Sequence, residues 1–405
     1  MLLAHLQLGS PPVTVHTSRL KRTALLVCAI AAHANAMSQT LSWRPDFQFA
    51  GTFFPSYALS ASGRDRSGPT ENVQAYGYIG SSSLAVLVKD APIGTKIRVE
   101  IEIPEIGVSG KIETLAFQTQ KYIVPRLTWS QSRLASITQP LTAEAVFRVF
   151  VDGTLDREDR QTIRVRAITD APLSACRSDK SCQDFSPYMA AFVNENSPII
   201  DGVLRAALDI PAMPVKAWTG TQQGADEALR QVWALWYLFQ RNKVTYSSIA
   251  TVSEERPDIT SQAIRPISQT LRTSQANCID GTVLFASILR KIGIEPAIVL
   301  IPGHAFLAFY TDQNRQSPVF LETTMINAQG INPFYSQGPS KIGEGMTRAL
   351  GSDIHMKQSW TGFMAAVSEG GRKYSLAKPK FGKERGYLFI PIYKAREAGI
   401  LPLPL

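Results

Sequence analysis

The sequence predicts an α+β protein whose N-terminal part is all β and whose later part mixes helices with strands. Residues 97–103 alternate apolar and charged side chains, the two-residue period of a half-buried strand. Residues 225–240 and 278–292 instead repeat apolar side chains at three- and four-residue steps, as core-packed helices do. With 44% hydrophobic and 19% charged residues among 405, the composition is that of a globular chain with room for two or three domains.

The all-β prediction covers residues 38–171. Further strand-like runs lie at residues 84–88, 146–151 and 163–167, with Gly, Pro and Asp-Gly at turn positions between them. This spacing predicts a β-sandwich of roughly immunoglobulin-like size. Residues 172–184 are predicted to be a linker to the next domain.

The N-terminus has the pattern of a secretory signal peptide over residues 1–36. Three basic residues precede an apolar stretch at 24–32, and Ala34-Asn35-Ala36 supplies a small-x-small cleavage site. The apolar stretch is too short for a permanent membrane span, and no later stretch of the sequence is long and apolar enough. We therefore expect an exported protein, periplasmic or extracellular, with no stable membrane span.

The charge balance is basic and dispersed. The leader holds three Lys or Arg residues and no acidic residue, so its removal lowers the formal charge from +9 to +6. Such a charge suits an anionic envelope surface, although dispersed charges favour the simpler interpretation that they keep the protein soluble. No basic-aromatic cluster indicates a nucleic-acid partner.

Two cysteines lie close together in the predicted linker. Cys176 and Cys182 flank the polar residues 177–181. In an oxidising compartment this pair indicates a local disulfide. A metal pair is the alternative, but the sequence has no second pair to complete a tetrahedral site. Once Cys28 has left with the leader, Cys278 is the odd thiol.

Cys278 opens the second helical pattern. Asn277 before it is a typical N-cap, and Asp280 lies where a carboxylate stabilises the first turn. The helix macrodipole favours a thiolate at the position of Cys278, which predicts a nucleophile. The alternative is a small buried core cysteine, the commonest role of a free Cys.

His304 and Glu322 are predicted to meet across a hairpin. Pro302-Gly303 breaks a strand at 295–301, and His304 then opens a second apolar run. After a polar turn at 311–318, Glu322 lies in a third run. A hairpin folded near residue 313 brings the imidazole and the carboxylate to neighbouring strands, where a base and its orienting acid must lie.

Three segments together carry a family resemblance: Asn-Cys-Ile-Asp-Gly-Thr at 277–282, Pro-Gly-His-Ala-Phe at 302–306 and Leu-Glu-Thr-Thr at 321–324. They resemble the bacterial transglutaminase-like superfamily, which has a papain-related fold and a Cys-His-Asp triad. The resemblance covers about residues 185–333 and implies the triad Cys278, His304 and Glu322. This chain has glutamate where the family more often has aspartate.

The resemblance implies a transglutaminase-like catalytic domain at residues 185–345 and a C-terminal extension at 346–405 that packs on it. Beyond residue 333 the sequence is Gly-rich and then mixed, and a strand at 387–393 is the one element predicted there. His355 has no evident acid partner.

The expected function is that of an exported cysteine peptidase, amidase or acyltransferase that acts on a protein or peptide amide. The Cys278 backbone N–H would be one oxyanion donor, and Tyr246 or Gln275 the second. No metal or other cofactor is implied. The alternative is a catalytically weak or inactive protein that keeps the fold and serves as a binding or assembly module in the cell envelope.

Overall fold

The computed structural model describes residues 41–62, 82–116, 120–176, 180–247, 256, 258–327, 346 and 349–405. The predicted leader at 1–36 lies outside these ranges. Within them, no helix combines the length and apolarity that crossing a membrane requires. Helices and strands are both abundant, which confirms the predicted mixture of α and β structure.

The N-terminal part consists of strands with two short helices. In chain order they are β1 (Ser42–Phe47), β2 (Thr52–Phe53), α1 (Pro55–Ala61), β3 (Leu84–Lys89), β4 (Lys96–Ile103), β5 (Val108–Leu115), β6 (Gln120–Ile123), β7 (Leu127–Thr128), α2 (Gln131–Ala135), β8 (Leu141–Val151) and β9 (Thr154–Val165). The strand order is β2-β9-β8-β4-β5-β7 in a six-stranded sheet and β1-β3-β6 in a three-stranded sheet.

Local sequence explains these sheets. The apolar residues of β4 are buried and alternate with more exposed charged residues, as predicted. Strands β8 and β9 form a hairpin in which Val151 pairs with Thr154. The two turn residues between them, Asp152 and Gly153, have φ values of 47° and 87°, which suits the twist of a two-residue hairpin. The rings of Phe47 and Phe147 meet at 5.5 Å and join β1 to β8.

The second part begins with a hairpin and then mixes helices with strands. Its elements are β10 (Asp170–Cys176), β11 (Cys182–Asp184), α3 (Ile199–Leu208), α4 (Ala225–Arg241), β12 (Thr245–Tyr246), β13 (Ile259–Ala263), α5 (Ile267–Thr273), β14 (Gln275–Ala276), α6 (Cys278–Lys291), β15 (Pro296–Ile301), β16 (His304–Tyr310), β17 (Pro318–Leu321), α7 (Ile354–Ala377), β18 (Leu388–Pro391) and α8 (Ile392–Glu397).

The predicted linker at 172–184 is largely β structure. Strand β10 pairs with β11 on one side and with β13 on the other. Cys176 and Cys182 are register partners across the β10–β11 hairpin and form a disulfide, which confirms the predicted pairing. Pairing with β13, which is remote in sequence, explains why local composition suggested a linker.

A four-stranded antiparallel sheet with the order β17-β16-β15-β18 lies at the centre of the second part, and two long helices pack on it. Helix α6 packs on β15 and β16, and α7 packs on β17. The aromatic stripe of α4 fills the space between the two helices. Its Trp236 and Phe239 meet Phe285 of α6 at 6.3 and 5.2 Å, and its Trp233 meets Trp360 of α7 at 6.0 Å.

Helix α7 was not predicted. Its interior contains Gly370 and Gly371, which lower helix propensity by about 1 kcal/mol each. Capping and packing override that cost. The Asp353 side chain accepts a hydrogen bond from the Met356 N–H at 2.9 Å, and the Trp360 face is buried against α4.

Gly370 allows α7 to lie directly on β17. A Cβ at this position would stand 2.8 Å from the carbonyl carbon of Phe320 and 2.9 Å from the Leu321 nitrogen. Next to this contact, the Glu322 N–H donates to the Ala366 carbonyl at 3.1 Å. The helix therefore meets the strand end backbone to backbone.

Gly370→Ala should destabilise the protein, whereas Gly371→Ala should not. Both substitutions remove a glycine from the same helix, but a Cβ at Gly371 meets nothing within 4 Å. Each variant therefore gains the same helix propensity, and a difference in stability between the two reports only the clash with β17. We expect Gly370→Ala to be about 1–3 kcal/mol less stable than Gly371→Ala in urea unfolding, the usual cost of overpacking. Equal stabilities would show that α7 can move away from β17 without cost.

Candidate active site

Cys278 is the first residue of α6 and is partly exposed. The helix begins with a capping box: Asn277 Oδ1 accepts from the Asp280 N–H at 2.8 Å, and Asp280 Oδ2 accepts from the Asn277 N–H at 3.2 Å. Arg265 fixes the buried Asp280 carboxylate with a further ion pair at 3.0 Å. The predicted cap is therefore present, and it holds the thiol at the positive end of the helix.

Gly281 brings this helix end close to the acid. A Cβ at Gly281 would stand 3.1 Å from Thr323 Oγ1 and 3.3 Å from Thr323 Cβ. Thr323 directly follows Glu322, so the first turn of α6 packs on the chain segment that carries the carboxylate. A side chain at Gly281 would therefore press on Thr323 and require it to shift.

His304 is the first residue of β16 and follows a two-residue turn. Gly303 in that turn has φ of +73°, the left-handed region that glycine adopts without strain. His304 Nε2 lies 2.7 Å from Glu322 Oε2. Because Leu307 pairs with Leu321, the two side chains are diagonal neighbours rather than direct opposites.

The imidazole also lies beside the nucleophile, because Cys278 and His304 line the same cavity. A side-chain hydrogen bond between Cys278 and His304, reinforced by the bond to Glu322, raises the pKa of His304 to about 9 against the effect of burial. Since Nε2 faces Glu322, Nδ1 is the ring nitrogen left for the thiol. This arrangement favours an imidazolium at neutral pH.

Glu322 is buried, with 1% of its side chain exposed, and is ionised. Burial alone would raise its pKa, but hydrogen bonds from His304, Lys373 and Thr324 outweigh burial and lower the pKa to about 2. The Thr324 N–H and hydroxyl donate to Oε1 at 3.1 and 2.6 Å. The carboxylate is therefore fixed in orientation as well as in charge.

Lys373 of α7 is a fourth member of this group, and sequence reasoning missed it. Its Nζ lies 2.6 Å from Glu322 Oε2 and 3.1 Å from His304 Nε2. Lys373 lies 51 residues beyond Glu322, on the helix that was not predicted. It stands in no recognisable motif, so the sequence offers no signal for this contact.

The two proposed oxyanion donors lie on the short parallel pair β12–β14, where Tyr246 is the register partner of Ala276. Burial raises the pKa of the Tyr246 phenol, and the charges of Cys278 and Glu322 raise it further. The phenol is therefore a protonated donor close to the nucleophile. Both side chains are exposed, Tyr246 on β12 and Gln275 on β14, and the effect of the Cys278 charge on the phenol is what distinguishes Tyr246. This geometry favours Tyr246 over Gln275.

His355 is not part of this group. It lies exposed in the first turn of α7, where it lines a separate cavity of about 670 Å³ together with Asp353 and Arg241. The structure therefore brings His304, and not His355, to Cys278.

A cavity of about 520 Å³ adjoins Cys278 and His304. Strand β13, the Pro302-Gly303 turn and Leu388 contribute to its wall. Among the described residues that line it, Cys278 and His304 are the only ones that titrate. The cavity is thus suited to an uncharged group next to the thiol.

Comparison with models of known protein families gives no match, and a search of curated proteins gives no significant match. What the site can do therefore follows from its chemistry. A thiol at a helix N-terminus, an imidazole beside it and a buried carboxylate on one ring nitrogen form an arrangement that can activate a cysteine for attack on a carbonyl.

Proposed function

We propose that the protein is an exported cysteine hydrolase or acyltransferase of the transglutaminase-like superfamily. The grouping of Cys278, His304 and Glu322 carries the proposal, because it places a nucleophile beside a base that is hydrogen-bonded to an orienting acid. The Cys176–Cys182 disulfide supports an oxidising compartment.

In the proposed reaction the Cys278 thiolate attacks the carbonyl carbon of an amide in a protein or peptide. The oxyanion that forms accepts hydrogen bonds from the Cys278 N–H and from the Tyr246 hydroxyl. His304 gives its Nδ1 proton to the leaving nitrogen, the C–N bond breaks, and a thioester remains on Cys278. Water, deprotonated by His304, then hydrolyses the thioester to a carboxylic acid and restores the thiol.

Glu322 has two roles in this cycle. Its ionised carboxylate accepts a hydrogen bond from Nε2–H, so Nδ1 faces the thiol, and its charge stabilises the imidazolium. With the pKa of His304 at about 9, the imidazolium is present before a substrate arrives. The longer glutamate side chain reaches the imidazole at 2.7 Å, so it replaces the family's usual aspartate without loss of contact.

An amine acceptor in place of water would give crosslinking rather than hydrolysis. We favour hydrolysis, because bacterial proteins with this resemblance are often peptidases and the sequence contains no acidic calcium loop. The cavity beside Cys278 supports a substrate whose group next to the scissile bond is uncharged.

Acyl transfer can be tested without knowledge of the natural substrate. Incubation with p-nitrophenyl acetate should release a burst of p-nitrophenol and leave an acetyl group on Cys278, located by mass spectrometry. Cys278→Ala should give neither.

Tyr246→Phe should slow acylation roughly 10²- to 10³-fold, the usual cost of losing an oxyanion donor, and Gln275→Leu should change it little. Added methylamine then separates hydrolysis, which gives acetate, from transfer, which gives N-methylacetamide.

Two outcomes would contradict the proposal. A folded protein that forms no acyl group on Cys278 would favour the binding or assembly role. A burst that persists in Cys278→Ala would show that another residue reacts with the ester.

A further inference from the structure

Two cationic side chains converge on one oxygen in the site. Glu322 Oε2 lies 2.7 Å from His304 Nε2 and 2.6 Å from Lys373 Nζ. His304 Nε2 and Lys373 Nζ both donate to Glu322 Oε2. Their own separation of 3.1 Å is therefore a close approach of two donors and not a hydrogen bond between them. A site that needed only an orienting carboxylate would not need the lysine.

We propose that Lys373 is a positioning residue of the triad: it fixes the Glu322 carboxylate and, through its charge, keeps the His304 imidazolium ready to release its proton. This proposal rests on the proposed function, because the proton in question is the one given to the leaving nitrogen. It concerns a residue that acts through Glu322 and His304 and does not itself touch the substrate.

The geometry ties Lys373 firmly to this position. Its side chain is 24% exposed, and the carboxylate that it meets is 1% exposed, so their attraction is only partly screened by water. Gly370 contacts β17 one helical turn before Lys373, and this contact fixes how closely the Lys373 side chain approaches Glu322. Tyr374 stacks on Phe320 with ring centroids 3.9 Å apart and fixes the rotation of the helix.

The other charged groups near His304 do not replace this effect. Glu369 precedes Lys373 by one turn of α7, and Arg372 holds it in a bidentate ion pair with both contacts at 2.7 Å. Tyr246 is neutral at physiological pH because its pKa is raised. Cys278 and Glu322 both favour the imidazolium, whereas the Lys373 charge opposes it.

That opposition has a use in catalysis. A histidine with a pKa of about 9 is already a weak acid at neutral pH, and an imidazolium stabilised further would release its proton more slowly. Lys373 shares Oε2 and lowers the pKa of His304, so it limits how tightly Glu322 holds the imidazolium. It also holds the carboxylate in place when the imidazole is neutral.

The test is an NMR titration of the His304 ring in the full chain, with the signal assigned by its loss in His304→Gln. Lys373→Met should raise the pKa of His304 by about 1, the lower end of the usual effect of one neighbouring charge. Lys373→Gln, which keeps an N–H donor but loses the charge, should raise it similarly. Lys373→Arg should restore a value near that of the unchanged protein, and Glu322→Gln should shift it in the opposite direction.

A purely structural role would leave the pKa of His304 the same in Lys373→Gln and in the unchanged protein, and that result would overturn the proposal. So would an Arg variant that behaves like the Met variant. Should the Met variant fail to fold in circular dichroism, the Gln and Arg variants decide the question alone. The outcome is separable from that of the proposed function, which fails if Cys278 of the unchanged protein forms no acyl group, whatever Lys373 does to His304.

Discussion

Replacing His304 with alanine should remove the fast alkylation of Cys278 below neutral pH. An ordinary thiol with a pKa of about 8.5 is only about 0.3% ionised at pH 6. In the proposed mechanism His304 takes the proton from the thiol, so the reaction is not limited in this way. We therefore expect the rate with iodoacetamide at pH 6 to fall roughly 10- to 100-fold in His304→Ala.

His355→Ala is the matched control, because His355 is the other histidine in the described part of the chain and lies exposed beside a different cavity. It should leave the alkylation rate unchanged. Glu322→Gln should reduce the rate less than His304→Ala does, because the amide keeps an acceptor for Nε2 and loses only the charge. Cys278→Ala gives the blank.

One result would reverse the assignment of the base. If His355→Ala slows alkylation while His304→Ala leaves it unchanged, the His304–Glu322 pair does not activate the thiol. The hairpin geometry would then be a packing feature, and the proposed mechanism would fail with it.

Stability should be greatest between about pH 4.5 and 6.5 as far as the His304–Glu322 pair is concerned. The pKa of Glu322 is lowered from 4.5 to about 2, so its contribution is complete above pH 4.5 and is lost as the pH falls toward 2. The pKa of His304 is raised from 6.5 to about 9, so its contribution is complete below pH 6.5 and is lost as the pH rises through 9.

The loss on each side corresponds to about 3 kcal/mol, since one pKa unit is worth about 1.4 kcal/mol. Cys278 is the largest cause of the raised His304 pKa, so the alkaline limb contains its effect as well as that of the ion pair with Glu322. Urea unfolding of His304→Gln and of the unchanged protein between pH 3 and 10 measures the difference. The alkaline limb should vanish from the profile of His304→Gln, and the acid limb should persist there in part because Lys373 and Thr324 still bind Glu322. His355→Gln should retain both limbs; a variant of His304 that also retains both would contradict the linkage.

The parts of the site that could be predicted are those written in short segments. Asn277 and Asp280 lie three residues apart, so their capping box is visible before any fold is known. His304 opens β16 and Glu322 directly follows β17, the next strand of the same hairpin, and the two-residue period of strands predicts their common face. The Cys176–Cys182 pair is equally local.

What could not be predicted depends on contacts between remote segments. Helix α7 forms despite Gly370 and Gly371 because α4 and β17 bury its face, and that environment is invisible in a local window. The choice between Tyr246 and Gln275 depends on two-residue strands that carry no periodicity. The sequence contains 42 Lys and Arg residues, and nothing distinguishes Lys373 among them until the position of α7 is known.

The contact between α7 and the end of β17 has a consequence for the order in which the candidate site is assembled. Cys278, His304 and Glu322 are all synthesised before α7, yet α7 supplies both the Ala366 carbonyl that holds the Glu322 backbone and the Lys373 amine that holds its carboxylate. A nascent chain that ends before α7 therefore has the nucleophile, the base and the Thr324 contacts of Glu322, but lacks the two contacts that α7 adds to the acid. In the proposed reaction, the complete acid–base pair would thus form only after α7 has been synthesised and has packed on the end of β17.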